Sequence, residues 1–396
     1  MAGFLSSVFI SGQLADRFGR RPIILLGIAI FFASALACTF STSYVMFTTL
    51  RYFVAFGASG AVTTAFVLLM EVIGAQYRTV LGVSFQFGWA LGYVLLPALA
   101  WFVREWSNLH LTLTVPWILL CSFWWLLPES PRWLITHGKV EQVEKEIETA
   151  LRINHKNVTD IGKIVKELMY KETREEENKN RHATFFDLLK TPNMRKKTLN
   201  SFFAWFVIAF VYYGLSLSTN DLGGDPYINF FVSGAVEFPS YAISIFVIKH
   251  LGRRIPLVVT MVLGGLACML TIPIPDYLQW LTVTLAMFGK FCISASFGIV
   301  YVYSAELFPT VVRNVGVGSS SMCARVGSMV APFVKELSKA TNNGVPLGIF
   351  GGLSVVSGIL ILLLPETNNM PLPDTLEEGE AFGKKPPSME LESTKL

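Results

Sequence analysis

Ten stretches of this chain stay apolar for close to 20 residues each: near 22–41, 44–70, 80–103, 109–127, 198–218, 227–248, 255–275, 278–304, 314–335 and 344–364. A helix rises 1.5 Å per residue, so about 20 apolar residues match the ~30 Å hydrocarbon core of a bilayer. A further run, 2–15, is too short to span alone. The recurrence leaves one economical fold class, an all-α membrane protein. Composition agrees: 52% of residues are hydrophobic, 15% are charged, and mean hydropathy is +0.51. A soluble domain has no core large enough to hide that much apolar surface.

The charges are gathered rather than scattered. Of the 60 Lys, Arg, Asp and Glu residues, 27 fall in 128–197 and 10 in 365–396. Basic residues (Arg17, Arg20, Arg21, Arg78, 15 in the central insert, Lys249, Arg253, Arg254, Arg313) occupy alternate connections between runs. By the positive-inside tendency these connections, the insert and the tail face the cytosol. The organisation expected is a first bundle over 1–127, a cytoplasmic loop over 128–197, a second bundle over 198–364 and a disordered tail over 365–396. Within the loop, Val140–Leu151 and Val158–Met169 read as short amphipathic helices, and TFFDLLKTP offers Thr184 as N-cap and Pro192 as stop.

Other classes are disfavoured. The five cysteines (Cys38, Cys121, Cys268, Cys292, Cys323) lie inside apolar runs and form no disulfide framework. The sequon at Asn157 falls in the cytosolic insert and reads as a chance match. The histidines are scattered, with no nucleophile–base pair, metal-ligand cluster or phosphate-cradling loop, so neither enzyme nor cofactor is expected. A net charge of +4 carries no nucleic-acid signal.

The chain also repeats itself. Gly19-Arg20-Arg21 returns as Gly252-Arg253-Arg254, and Glu71 with Arg78 as Glu306 with Arg313. Pro128-Glu129 returns as Pro365-Glu366, and Arg51 is echoed by Lys290. Features sharing nearly one offset imply two homologous bundles, the parallel-repeat plan of a secondary transporter.

The loop GQLADRFGRRP resembles the loop between helices 2 and 3 of the major facilitator superfamily. LPESPRW from Leu127, AELFPT from Ala305 with Arg313-Asn314, and LPET from Leu364 narrow the resemblance to the organic cation, carnitine and organic anion transporters of solute carrier family 22. The resemblance runs from Met1 to about Thr375. It implies the major facilitator fold with about eleven of twelve transmembrane helices, the first of them partial. The family's first helix and long cysteine-containing extracellular loop have no counterpart here, so a fragment is expected rather than a reduced paralogue.

Ionisable residues inside spans are costly and therefore informative. Glu237 stands beside Pro239, where a loosened helix would expose carbonyls; a buried pair with Lys290 or Arg325 is the alternative. Arg51 and Lys290 read as structural charges. Arg325 can hold a carboxylate with both arms of its guanidinium, which favours zwitterionic or anionic ligands; the competing reading is that it neutralises Glu237. In the resemblance this position is Arg in the carnitine and anion branches and acidic in the cation branch. Trp205 and Tyr212 share a helical face, Tyr213 adjoins, and Phe297 lies one turn from Tyr301. With Phe66, Gln86 and Trp89 they would line a cavity for flat or quaternary-ammonium groups; ordinary packing is the alternative for each. Asp16, Arg17, Arg20, Arg21, Glu71, Arg78, Glu129 and Arg132 form one cytoplasmic charge network. Arg253, Arg254, Glu306 and Arg313 form its counterpart, together a candidate gating latch.

The expected function is alternating-access transport of small organic ions across the plasma membrane, with membrane lipid as the surrounding partner. A sugar-type facilitator and a non-transporting truncated paralogue are the alternatives.

Overall fold

The computed structural model describes residues 2–74, 77–155, 162, 165, 185–218, 225–309, 311–340, 344–368, 370, 373 and 375–383, without the side chains of Phe9, Arg78, Thr79, Asp276, Asn314, Lys339 and Ala340. Eleven long helical segments follow in order: α1 Ala2–Phe18, α2 Arg20–Thr39, α3 Tyr44–Val72, α4 Val80–Phe102, α5 Trp106–Leu126, α6 Pro192–Ser218, α7 Pro226–Leu251, α8 Arg254–Leu270, α9 Gln279–Leu307, α10 Arg313–Ala340 and α11 Gly344–Ile361. Among the described residues eight of these, α2 to α7 with α9 and α11, are long and apolar enough to cross a bilayer. Every apolar run read from the sequence corresponds to one helical segment, and the short run at the start becomes α1.

Three segments are not plain α-helix. The middle of α5, Val115–Ser122, winds as a 3₁₀ helix with Pro116 in its first turn. In α4 a turn at Phe85 separates Arg78–Ser84 from Gln86–Phe102. In α7 the helix Pro226–Ala235 gives way at Val236 to Glu237–Leu251. Pro239 explains the last break, because it has no N–H to give to the carbonyl four residues back. The loosening expected beside Glu237 is therefore present.

The helices gather into two compact units. The first comprises residues 1–182, 216–241 and 328–332. Here α2 and α3 approach through glycines. A Cβ on Gly57 would stand 2.5 Å from the backbone nitrogen of Phe31, and one on Gly27 would stand 2.9 Å from that of Ala61. Small residues at crossings let helix backbones meet where lipid removes the hydrophobic drive for association. The first part of α7 packs on α4 in the same way, Gly234 lying against Tyr93 and Val94 while Tyr93 stacks on Phe230 at 4.5 Å.

The second unit comprises residues 183–215, 242–327 and 333–396. In it α8 crosses α11 at Gly265 and Gly351, where a Cβ on either would sit 2.6 Å from the other's carbonyl oxygen. Likewise α10 meets α6 at Gly327, against the carbonyl of Phe206.

Outside the long helices, Val140–Ile153 is an amphipathic helix whose Val143 and Ile147 pack on Trp133 and Leu134. Thr184, Asn157 and most of 158–169 lie outside the described residues. The short helix Asp187–Lys190 ends at Thr191, held extended ahead of Pro192, and Pro192 opens α6.

The tail corrects an expectation. Leu376–Ala381 is a helix capped by Thr375, whose hydroxyl accepts from the N–H of Glu378. Leu376 packs on a core of Leu188, Met194, Phe308 and Val312. The Glu380 carboxylate accepts from the N–H groups of Asn193 and Met194 at 2.9–3.1 Å, and buried Lys197 donates to the carbonyls of Gly379 and Phe382. Composition alone made this stretch look disordered. An anion at a helix N-terminus and one apolar anchor order it. Residues 384–396 lie outside the described residues.

Candidate functional site

In each unit an arginine just after a glycine turn joins three parts of the chain. In the first, Arg20 donates through Nε to Glu71 Oε2 and through Nη2 to Glu71 Oε1, both at 3.0 Å, and through Nη1 to the carbonyl of Ala15 at 3.0 Å. Asp16 adds an ion pair to Arg20 at 3.0 Å but is itself exposed. The Glu129 carboxylate accepts from the backbone N–H groups of Arg20, Arg21 and Ser130. Arg21 donates to the carbonyl of Trp124. Gly19 has φ 105°, and a Cβ there would stand 2.5 Å from Glu129 Oε2, so only glycine fits this turn.

The second unit repeats the arrangement 233 residues later. Arg253 pairs with Glu306 at 3.0 Å and donates to the carbonyl of Ile248 and to Asn368 Oδ1. The Glu366 carboxylate accepts from the N–H groups of Arg253, Arg254, Thr367 and Asn368 at 2.9–3.1 Å. Arg254 donates to the carbonyl of Leu362, and Gly252 takes φ 87° beside Glu366. Burial alone would raise the Glu366 carboxyl, but those four backbone N–H groups outweigh it and hold the group below its ordinary value. The position of Asp16 is taken here by Lys249, and Asn368 supplies the extra acceptor.

The contacts just described join residues of one unit in each case. Of the residues named from sequence, Arg17 is exposed over the ring of Phe18 and Arg132 is exposed. Arg313 donates to the carbonyl of Phe308, and the side chain of Arg78 lies outside the described residues. Three participants were missed as site residues: Glu366, Thr367, whose hydroxyl donates to Glu306 Oε2 at 2.6 Å, and Asn368. The signal for Glu366 was its repeat relation to Glu129.

Deeper in the second unit the aromatic residues form a continuous chain. Trp205 meets Tyr301 edge-on at 4.4 Å, Tyr301 lies 5.9 Å from Phe297, Phe297 lies 5.5 Å from Tyr212, and Tyr212 lies 5.3 Å from Tyr213. Trp205 is buried and donates Nε1–H to Ser304 Oγ at 2.8 Å. Phe297, Tyr301 and Tyr213 are half-buried. Lys290 joins the group: its ammonium stands 3.3 Å from the centroid of the Tyr212 ring, and the side chain is fully buried. Its repeat partner Arg51 is instead exposed, over the ring of Phe47 at 5.8 Å. The echo in sequence is thus not an echo in environment. Arg325 is half-buried on α10, two residues before the Gly327 crossing.

In the first unit Phe66 packs on Phe85 at 5.3 Å, at the turn that Gln86 follows, and Trp89 is exposed beside Tyr93. Glu237 is fully buried at the α7 break, where its carboxylate accepts from the hydroxyl of Tyr241 at 3.2 Å.

Known proteins share both sequence and architecture with this chain. The family model described as sugar (and other) transporter matches residues 1–377. The organic cation transporter protein of Drosophila melanogaster is 41% identical over 393 residues, spanning 98% of this chain and 72% of its own. Human organic cation/carnitine transporter 2 is 38% identical over 379 residues, spanning 95% and 67%. Mouse solute carrier family 22 member 3 is 35% identical over 381 residues, spanning 96% and 68%. Among solved structures, the proton:xylose symporter XylE bound to 6-bromo-6-deoxy-D-glucose superposes with a TM-score of 0.73 at 18% identity, covering 96% of this chain and 87% of that one. The inward-open xylose transporter XylE from E. coli gives 0.71 at 18% identity, with the same coverage. Identity that low speaks for the fold, and the curated relatives speak for the branch. The chain is an integral membrane protein that belongs to the sugar (and other) transporter family of the major facilitator superfamily, in its solute carrier 22 branch of organic cation and carnitine transporters.

Proposed function

We propose that this protein moves small organic ions across the plasma membrane by alternating access, with the ligand held against the aromatic chain from Trp205 to Tyr212. That chain is the observation carrying the reading. Four rings in contact within membrane-spanning helices offer π faces and apolar edges to flat or quaternary-ammonium groups, with few polar groups to fix one shape. The named activities of the curated relatives, organic cation and carnitine transport, support the same class. Arg325 contributes the group for a ligand carboxylate, which favours zwitterionic or anionic ligands. A charged ligand is driven by its gradient and by membrane potential, about 2.3 kcal/mol per charge per 100 mV.

The two charge networks serve as the rigid corners that carry each unit through the cycle. Exposed Asp16, Arg17 and Arg132 are the groups that make and break contacts on the cytosolic side. The central loop and tail lie in the cytosol, following the basic residues. Uptake of radiolabelled carnitine, tetraethylammonium and p-aminohippurate, with glucose as the contrasting substrate, tests the reading. Arg325→Gln should lower uptake of the carboxylate-bearing compounds more than that of tetraethylammonium.

A further inference from the structure

Trp205 rests on one stripe of α9. Its ring centroid lies 6.4 Å from that of Phe297 and 4.4 Å from that of Tyr301, and its Nε1–H donates to Ser304 Oγ at 2.8 Å. Phe297, Tyr301 and Ser304, spaced four and three apart, share one helical face. The ring contacts hold the indole in its slot without choosing between its two edges, because an indole turned over about its Cβ–Cγ bond fills nearly the same space. The hydrogen bond does choose. Trp205 and Ser304 are each 1% exposed, so bulk solvent offers the indole N–H no other partner.

Behind Ser304 the direction of the hydrogen bonds follows from their two ends. An indole N–H can only donate and a carbonyl can only accept. Ser320 Oγ donates to the carbonyl of Gly316 at 2.7 Å, so it receives from Ser201 Oγ, 3.4 Å away. Ser201 in turn receives from Ser304, at 3.5 Å. The outer two links are short and the inner two long. All three serines are buried, and they tie α6, α9 and α10 together beside the aromatic chain.

We infer that Ser304 is a positioning residue for the ligand site: it fixes the Trp205 indole and, through that ring, the ring of Tyr301. Ser201 and Ser320 take up the proton of Ser304, which leaves a lone pair of its hydroxyl turned to the indole. Trp205 is buried, whereas Tyr301, set at 73° to it, is half-buried. Tyr301 is therefore the ring that meets a ligand, and Trp205 is the support behind it. Ser304 acts without touching the ligand. This inference rests on the transport reading above and names what holds its aromatic wall in register.

The test uses the purified full chain in nanodiscs, with tryptophan labelled by nitrogen-15. Trp205→Phe assigns the indole N–H of Trp205 among the nine tryptophans. Ser304→Ala should move that resonance upfield and weaken equilibrium binding of radiolabelled tetraethylammonium and carnitine about fivefold, or about 1 kcal/mol. In the Trp205→Phe background, where no N–H remains to be held, Ser304→Ala should change affinity by less than about twofold. An unmoved resonance, or equal weakening in both backgrounds, would overturn the inference and leave the transport reading standing. Where Ser304→Ala does not fold, Ser201→Ala decides. It removes the acceptor for the Ser304 proton and should shift the same resonance upfield by a smaller step; no shift would again overturn the inference. Binding of neither compound by the wild-type chain would overturn both.

Discussion

Arg20 holds Glu71 through two parallel hydrogen bonds of 3.0 Å, one from Nε and one from Nη2, and the guanidinium also reaches the carbonyl of Ala15. Both side chains are largely out of solvent, at 11% and 15% exposure. A pair of this kind fixes the end of α3 against the turn between α1 and α2, and Arg253 with Glu306 does the same in the second unit. Because the geometry is that of a fork, lysine cannot replace arginine here.

Arg20→Lys should therefore destabilise the protein by about 1–3 kcal/mol, and Arg20→Ala, which strands Glu71, by about 3–5 kcal/mol. Thermal unfolding in detergent reads the order. Arg253→Ala is expected to match Arg20→Ala in direction.

The glycine turns offer a second check. Gly19→Ala forces a Cβ into a conformation that L-residues avoid and to within 2.5 Å of Glu129 Oε2, whereas the nearest atoms at Gly252 stand 3.0 Å away. Both substitutions should lower the melting temperature, by about 1–3 kcal/mol of stability, with Gly19→Ala the worse. Equal, near-zero effects would show that the turns tolerate a side chain.

Acid should weaken the second network through Glu366. Its carboxyl titrates below the ordinary value of 4.5 in the folded protein, so the unfolded chain binds the proton more readily. Stability from this group is fully present above the ordinary value and is lost as pH falls through the lowered one. Glu366→Gln should be less stable than wild type at neutral pH, and the gap should narrow as pH falls below the ordinary carboxyl value of 4.5. Melting curves taken as pH is lowered measure it.

Glu380 supplies from the tail the cap that α6 does not take from Thr191, whose hydroxyl makes no hydrogen bond among the described residues. Glu380→Gln should cost about 0.5–2 kcal/mol locally. The expected readout is faster amide hydrogen exchange at Asn193 and Met194, with the rest of α6 unchanged.

How much of this was legible beforehand depends on the length scale of the signal. Helix positions followed from apolar runs, because a bilayer imposes one length on every crossing. The repeat of Arg20, Glu71 and Glu129 in Arg253, Glu306 and Glu366 was visible because the turns and pairs constrain residue type strongly. Environment was less visible. Arg51 and Lys290 occupy related positions, yet one is exposed and the other lies buried on Tyr212, a difference set by neighbouring helices that local sequence does not carry. The ordered stretch Leu376–Ala381 was hidden for a similar reason, since its order comes from Met194, Lys197 and Phe308, far away in the chain.

The central claim is transport of small organic ions over the aromatic chain of the second unit, and uptake by reconstituted protein tests it most directly. Proteoliposomes carrying the chain should accumulate carnitine or p-aminohippurate well above glucose, and Trp205→Ala should abolish most of that uptake with the protein still folded. Uptake of glucose alone, or organic-ion uptake indifferent to Trp205→Ala, would contradict the account.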